Sequence, residues 1–230
     1  MKVWIFVEGV SDRIALDTLW EKWRESLRQI GWGIQIICLD GKSKFFRKIG
    51  PHAAEKLTNN EDDLVVGLPD LYPNREYMNS QYKHDNIGEL KIVQTKLVEK
   101  ALSEVFGLSQ IKSKEALGRF HPTALKHDME MLLLAAREEL RIVLGTPDAL
   151  GKWRHPVEDQ NQTKPPKYVV EDLFQAKKGR SYRDTVHAKA VLEKVADIQT
   201  IIHHSGNQLQ CPVFKELIDW IGTRTGQPAY

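Results

Sequence analysis

Acidic side chains follow two of the apolar runs that we predict to be strands. Glu8 comes directly after the run from Val3 to Val7, and Asp70 follows the run from Leu64 to Leu68. Short runs of β-branched and aromatic residues are typical of buried strands. Because the carboxyl ends of parallel strands meet at one edge of a sheet, we expect the two acids to lie close together there.

A third acid, Asp12, lies four residues beyond Glu8 in the first turn of a predicted helix and can join the pair. Converging carboxylates repel one another unless a divalent cation holds them, and all-oxygen ligation suits Mg²⁺ or Mn²⁺. The alternatives are that Asp12 only caps its helix and that Asp70 only begins a proline-flanked turn. Caps and turns do not explain a shared sheet edge, which favours the metal site for Glu8 and Asp70.

His127 and Glu130 form a second candidate pair, in an apolar helix predicted from about Lys126 to Val143. At a spacing of three residues the two side chains would share one helix face. Burying an imidazole or a carboxylate is costly unless the group is paired, so a second metal or an acid–base role is one interpretation. The other is that this edge of the helix faces solvent.

Basic residues outnumber acidic ones between residues 164 and 189. Tyr182 can stack on a base, and Lys164, Arg180 and Arg183 can contact phosphates, so we interpret this segment as a nucleic-acid-binding surface. A solvated basic face would have the same composition.

The candidate residues are positioned by an alternation of strands and helices. We predict strands at 3–7, 34–39, 64–68 and, more weakly, 118–125, with helices after each, including one at 45–57 that Gly50-Pro51 kinks or divides and one at 87–106. This order indicates an α/β fold with a Rossmann-like parallel sheet of about four strands. We predict an α/β domain at 1–144, a proline-containing loop at 145–166 and a helical extension at 167–230 packed on that domain.

Bulk composition narrows the class of protein. The 230 residues are 41% apolar and 28% charged with a net charge of +2, which is ordinary for a globular domain and argues against broad electrostatic coating of DNA. Cys38 and Cys211 are far apart and indicate reduced thiols rather than a disulfide framework. With no signal-peptide pattern and no membrane-length apolar run, we expect a cytoplasmic protein. A doubly wound small-molecule phosphotransferase lacks support, since no GxGxxG or Walker A stretch occurs.

The ordered motifs resemble a known family. Residues 7–12 (Val-Glu-Gly-Val-Ser-Asp) resemble the opening motif of Toprim domains, especially those of OLD-type nucleases. More closely, the chain resembles the bacterial Toprim-like DUF4276 family, through residues 70–72 (Asp-Leu-Tyr), 127–132 (His-Asp-Met-Glu-Met-Leu) and 166–167 (Pro-Lys). The resemblance covers essentially the whole chain in order.

This resemblance implies a Toprim fold in which Glu8 and Asp70 serve metal-dependent phosphoryl chemistry on nucleic acid. It also implies an ABC-type ATPase partner of the OLD kind and a role in antiphage defence. One departure is Tyr72, which stands where the usual Asp-x-Asp motif has its second acid. Asp12, Glu130 or His127 can supply the missing ligand, or the site holds only one metal firmly.

The resulting hypothesis is a Mg²⁺- or Mn²⁺-dependent endonuclease acting on DNA or RNA. Its metal ligands are Glu8, Asp12, Asp70 and Glu130; alternatively, Glu8 is the general base. Lys167 neutralises charge on the phosphate, and His127 is a ligand or a proton shuttle. The alternative from another class is a non-catalytic regulatory or sensor subunit of the ATPase, which Tyr72 favours.

Overall fold

The computed structural model describes three stretches of the chain: residues 1–160, 164–204 and 208–229. Contacts divide the chain into two compact units, the first formed by residues 1–9 and 24–124 and the second by residues 10–23 and 125–230. These boundaries differ from the predicted ones at 144 and 166, because the chain from Leu125 onward groups with the C-terminal helices. No helix in the described stretches has both the length and the apolar character that crossing a membrane requires.

The helices, in chain order, are α1 (Val10–Leu19), α2 (Glu21–Gln29), α3 (Lys42–Asn59), α4 (Ile87–Glu104), α5 (Gln110–Leu117), α6 (Glu130–Ala135), α7 (Arg137–Leu144), α8 (Pro166–Lys178), α9 (Lys189–Leu192), α10 (Gln199–Ile202) and α11 (Pro212–Thr225). Short 3₁₀ turns occur at Arg75–Tyr77 and Val157–Asp159, and a single π-helical turn at Asp184–Ala188 precedes α9.

The first unit contains the predicted sheet. Its four strands are β1 (Lys2–Val7), β2 (Gly33–Cys38), β3 (Leu64–Leu68) and β4 (Phe120–Pro122). They lie in the order β2-β1-β3-β4 and every neighbouring pair is parallel, which confirms the predicted α/β fold with a four-stranded parallel sheet. Strand β3 and residues 3–7 of β1 are continuous apolar runs, because a central parallel strand is covered on both faces.

Helix α3 packs closely against α4 in this unit. A Cβ atom at Gly50 would lie 2.6 Å from the backbone oxygen of Leu97, so only glycine fits at this approach. The helix continues through Pro51 as one element, so of the two predicted effects of Gly50-Pro51, a kink or a division, the division does not occur. Packing against α4 overrides the local tendency of the Gly-Pro pair to end a helix.

The second unit is largely helical and also contains an antiparallel pair, β5 (His203–His204) and β6 (Gln208–Leu209). The single helix predicted at 126–143 is wrong: residues 126–129 are irregular, and Ala136, at ψ 53°, separates α6 from α7. His127 therefore precedes the helix and does not share a helical face with Glu130. Residues 131–136 are all buried. Their uninterrupted apolar run therefore has no polar position that would mark the end of a helix.

Candidate functional site

The strand-end acids of the first unit lie together at the carboxyl edge of the sheet. Glu8 directly follows β1, and Asp70 follows β3 after Pro69. The backbone N–H of Asp70 donates a hydrogen bond to Glu8 Oε1 at 3.2 Å. Because β1 and β3 are parallel neighbours, their ends are adjacent, as the sequence predicts. We call Glu8 and Asp70 the sheet-edge pair.

The backbone around Glu8 is fixed by the turn that follows β2. The N–H of Leu39 donates to the carbonyl of Val7 at 2.9 Å, and the N–H of Gly41 donates to the carbonyl of Glu8 at 2.7 Å. Gly41 has a φ of 94°, in the region that favours glycine. This turn leads directly into α3 and brings its first residue, Lys42, to the same edge of the sheet.

Lys42 is a site residue that the sequence analysis missed. Its Nζ lies 3.3 Å from the backbone oxygen of Asp70 and 3.9 Å from Glu8 Oε1. The lysine side chain is 17% exposed and the Glu8 side chain 9%, so this ion pair is shielded from solvent. The sequence could have indicated Lys42 through its position after β2, because the carboxyl end of β2 lies at the same edge of the sheet as the end of β1.

In the second unit, two acids lie next to each other, one buried (Glu130) and one half-buried (Asp128). Glu130 is the first residue of α6 and is 4% exposed, and Asp128 lies two residues before it. Burial, together with the negative charge of Glu130, raises the pKa of Asp128 to about 8. Burial also raises the pKa of Glu130, and the positive charge of Lys167 opposes that shift. Sequence analysis missed Asp128, because nothing in the local pattern shows that its carboxylate turns inward.

Lys167 and Tyr182 complete what we call the buried acid cluster (Asp128, Glu130, Lys167 and Tyr182). The backbone N–H of Lys167, the second residue of α8, donates to Asp128 Oδ2 at 3.3 Å. The Tyr182 hydroxyl is close enough to lower the pKa of Glu130. Within the described part of the chain, however, that hydroxyl has no partner in full hydrogen-bonding geometry. Burial raises the pKa of Tyr182.

The remaining predicted metal or catalytic residues, Asp12 and His127, also belong to the second unit. Asp12 is 7% exposed in the first turn of α1, and His127 is 3% exposed. Burial, followed by the positive charge of Lys126, lowers the pKa of His127 and favours its neutral imidazole at pH 7. Among residues 1–160, 164–204 and 208–229, no three His, Cys, Asp or Glu side chains are grouped so that they could hold a metal ion.

The predicted nucleic-acid contacts have different environments. Arg180 and Arg183 are exposed, and exposed Lys164 forms an ion pair with Asp172 at 2.7 Å. The Tyr182 ring is half-buried and lies 5.3 Å from the ring of Phe174. The three basic residues are therefore accessible, whereas Tyr182 packs inward and does not present the exposed ring that base stacking needs.

Comparison with known proteins shows which family the chain belongs to. The family model described as "Domain of unknown function (DUF4276)" matches residues 7–222, which is nearly the whole chain. The chain belongs to the DUF4276 family. This confirms the resemblance found from the motifs of the sequence, and places the sheet-edge pair and the buried acid cluster inside the region that DUF4276 proteins share.

Similar solved structures are those of the C-terminal region of the OLD protein of Xanthomonas campestris pv. campestris. One is 14% identical over 84% of this chain and 85% of the other, with a TM-score of 0.42. Another is 13% identical over 96% of this chain and 97% of the other, with a TM-score of 0.40. No curated protein matches the chain.

Proposed function

We propose that this DUF4276 protein is a Mg²⁺- or Mn²⁺-dependent nuclease of Toprim type that hydrolyses phosphodiester bonds in DNA or RNA. The observation that supports this proposal is the hydrogen bond of 3.2 Å between the N–H of Asp70 and Glu8 Oε1, which joins the acids of two adjacent strand ends. We infer the type of activity, phosphodiester hydrolysis, from the resemblance of residues 7–12 to the opening motif of Toprim nucleases.

The donor set of the sheet-edge pair fits a hard divalent cation. Glu8 and Asp70 offer carboxylate oxygens, and Mg²⁺ is commonly held by one or two carboxylates while water and substrate oxygens complete its shell. A bound ion supplies Lewis-acid chemistry, lowering the pKa of water and stabilising charge on a phosphate. Asp12 and Glu130, the other proposed ligands, belong to the second unit.

The protein's own groups then have distinct roles in the proposed reaction. Glu8 serves either as a ligand or as the base that accepts a proton from the attacking water. The ammonium group of Lys167 neutralises charge that develops on the phosphate. A neutral His127 suits a ligand or a proton acceptor better than a proton donor, because its pKa is lowered by burial. Lys164, Arg180 and Arg183 would contact the nucleic-acid backbone.

We further propose that the protein works with an ABC-type ATPase of the OLD kind in defence against phage, as the family resemblance implies. A second candidate function is that of a non-catalytic regulatory or sensor subunit of such an ATPase. Tyr72 favours this alternative, because it stands at the position of the second Asp and its hydroxyl donates to the backbone oxygen of Asp85 at 3.0 Å. A single-acid strand end would bind metal less firmly than the usual motif.

Calorimetric titration with Mn²⁺ tests the proposal on the wild type and on Glu8→Ala and Asp70→Ala. We expect saturable binding in the wild type and its loss in both variants. Glu61→Ala is the matched control, because exposed Glu61 precedes β3 and so lies at the opposite end of that strand. Supercoiled plasmid and structured RNA are then offered with Mn²⁺. Absence of binding at millimolar Mn²⁺ in the folded wild type would contradict the nuclease and favour the regulatory subunit.

A further inference from the structure

The proposed function gives no role to Lys42, whose ammonium group is shielded from solvent at the sheet edge. Lys42 Nζ lies 3.3 Å from the carbonyl oxygen of Asp70 and 3.9 Å from Glu8 Oε1. One cation thus already contacts the main chain of Asp70 and forms an ion pair with the carboxylate of Glu8, the two residues that we propose to bind a divalent ion. A divalent ion on the Glu8 carboxylate would be repelled by this nearby ammonium group, so lysine and metal compete for Glu8.

The position of Lys42 is locally unfavourable for the helix that contains it. It is the first residue of the 18-residue helix α3, whose first turn has no acidic residue and whose N-cap, Gly41, provides no side-chain hydrogen bond. Positive charge near a helix N-terminus opposes the helix dipole, and shielding an ammonium group from water adds to the cost. Such a conflict between local preference and structure is typical of functional positions.

The backbone of Lys42 is held in place independently of its amine. The Tyr77 hydroxyl donates to the carbonyl of Lys42, and the Tyr77 ring packs edge-on against Phe46 at 4.8 Å between centroids. Tyr77 itself is 4% exposed. These contacts fix the backbone position of Lys42. Its flexible four-carbon side chain still allows the ammonium group to move by several ångströms.

We propose that Lys42 is the resident cation of the sheet-edge pair: its ammonium group neutralises Glu8 in the metal-free protein, is displaced when a divalent ion binds, and then contacts the substrate phosphate. This inference rests on the proposed nuclease function and adds a residue that links metal loading to substrate binding. A compact ammonium on a mobile stem suits both positions, since oxygen atoms of carboxylate, carbonyl and phosphate are all acceptors for it.

The test compares Mn²⁺ affinity in the wild type, Lys42→Gln, Lys42→Arg and Lys44→Gln. Lys44 lies on the same turn of α3 and is exposed, so it is the matched control for helix charge. We expect Lys42→Gln to bind Mn²⁺ about tenfold more tightly than the wild type, because a competing positive charge is removed. Lys42→Arg keeps the charge and should bind as the wild type does, and Lys44→Gln should show no such gain.

Two further measurements separate this role from a purely structural one. In EDTA, Lys42→Gln should have a lower Tm than the wild type, and saturating Mn²⁺ should raise its Tm by more than it raises that of the wild type. Cleavage at saturating Mn²⁺ should fall about 100-fold in Lys42→Gln, the usual loss when one charge-stabilising donor is removed. If Lys42 were purely structural, the substitution Lys42→Gln would instead lower both the stability of the protein and its affinity for Mn²⁺.

The outcomes distinguish this inference from the proposed function. If the wild type binds Mn²⁺, Glu8→Ala does not, and Lys42→Gln binds no more tightly than the wild type, the resident-cation role is overturned and the nuclease proposal stands. Binding by Lys42→Gln alone would show that the wild-type lysine excludes the metal and is not displaced by it, and would overturn both the nuclease proposal and the resident-cation role. If neither protein binds Mn²⁺, the proposed function fails and the inference fails with it.

Discussion

The sheet-edge pair and the buried acid cluster bring carboxylates together by different means. At the sheet edge, Glu8 accepts a backbone N–H and lies near the ammonium group of Lys42. In the cluster, half-buried Asp128 lies next to buried Glu130, and desolvation raises the pKa of both. The first arrangement balances its charge with a nearby cation, whereas the second makes negative charge unfavourable.

This difference has a chemical consequence. Anything that supplies positive charge to the buried acid cluster, such as a proton, stabilises the folded protein, because Lys167 offsets the cost of ionising Glu130 only in part. The sheet-edge pair has a lysine, Lys42, whose ammonium group forms an ion pair with Glu8. We therefore expect substitutions at the sheet edge to change activity most, and substitutions in the cluster to change the pH dependence of stability.

The largest expected effect is the loss of cleavage in Glu8→Gln, which keeps the shape of the side chain and removes its charge. We expect kcat/KM to fall by about 1,000-fold or more, since the group that holds the ion or accepts the proton is lost. The protein should stay folded but lose about 1–3 kcal/mol of unfolding free energy, because Glu8 is buried and its neutralisation leaves the shielded ammonium group of Lys42 without its counter-ion. Cleavage assays and urea unfolding measure the two quantities. Wild-type cleavage by this variant would remove the sheet edge from the reaction.

The next effect is a pH dependence of stability that arises from Asp128. Its pKa of about 8 in the folded protein exceeds the ordinary value of 3.8, so the folded state binds more protons than the unfolded state between these values. Stability therefore falls as pH rises from about 4 to 8, by up to roughly 5–6 kcal/mol. Asp128→Asn should reduce this fall, because its side chain does not ionise, while the raised pKa values of Glu130 and Glu158 maintain the remainder. Urea unfolding at pH 5, 6.5, 7.5 and 8.5 measures the slope.

Glu158→Gln is the control for that slope. The Glu158 carboxylate accepts the N–H groups of Val213 and Phe214, both at 2.8 Å, at the start of α11. Burial raises its pKa to about 7, so its contribution also falls with pH but ends near pH 7. Only Asp128→Asn should flatten the curve between pH 7 and 8. An unchanged wild-type slope in that interval would show that Asp128 does not titrate there.

The comparison also explains how much of the molecule could be predicted from its sequence. Strand β3 lies where it was predicted, at 64–68, and helix α4 nearly so, because continuous apolar runs and helical periodicity report directly on parallel sheets and amphipathic helices. The pairing of Glu8 with Asp70 followed from the same regularity. The position of a residue at the end of a strand is determined by the place of that strand in the sheet.

The parts that were missed depend on tertiary structure. The break at Ala136 lies inside a fully buried apolar run, where periodicity carries no information about helix ends. Asp128 turns inward from an irregular segment that was predicted to be helical, and its contact with the N–H of Lys167 joins residues 39 positions apart in sequence. No local pattern reports a contact of that range.

The smallest expected effect sharpens the comparison within the cluster. Tyr182→Phe removes the hydroxyl that lowers the pKa of Glu130, so the pKa of that carboxyl should rise further. The free energy of unfolding should fall by less than about 1 kcal/mol, because the ring keeps its packing and the hydroxyl lacks full hydrogen-bonding geometry. The loss should be larger at pH 9 than at pH 5, since the hydroxyl favours only the ionised carboxylate. Carbon-13 NMR titration of Glu130 and urea unfolding at both pH values measure these effects. An unchanged or lower pKa for Glu130 would show that Tyr182 does not act on this carboxyl, and would leave Lys167 as the group that moderates the cluster.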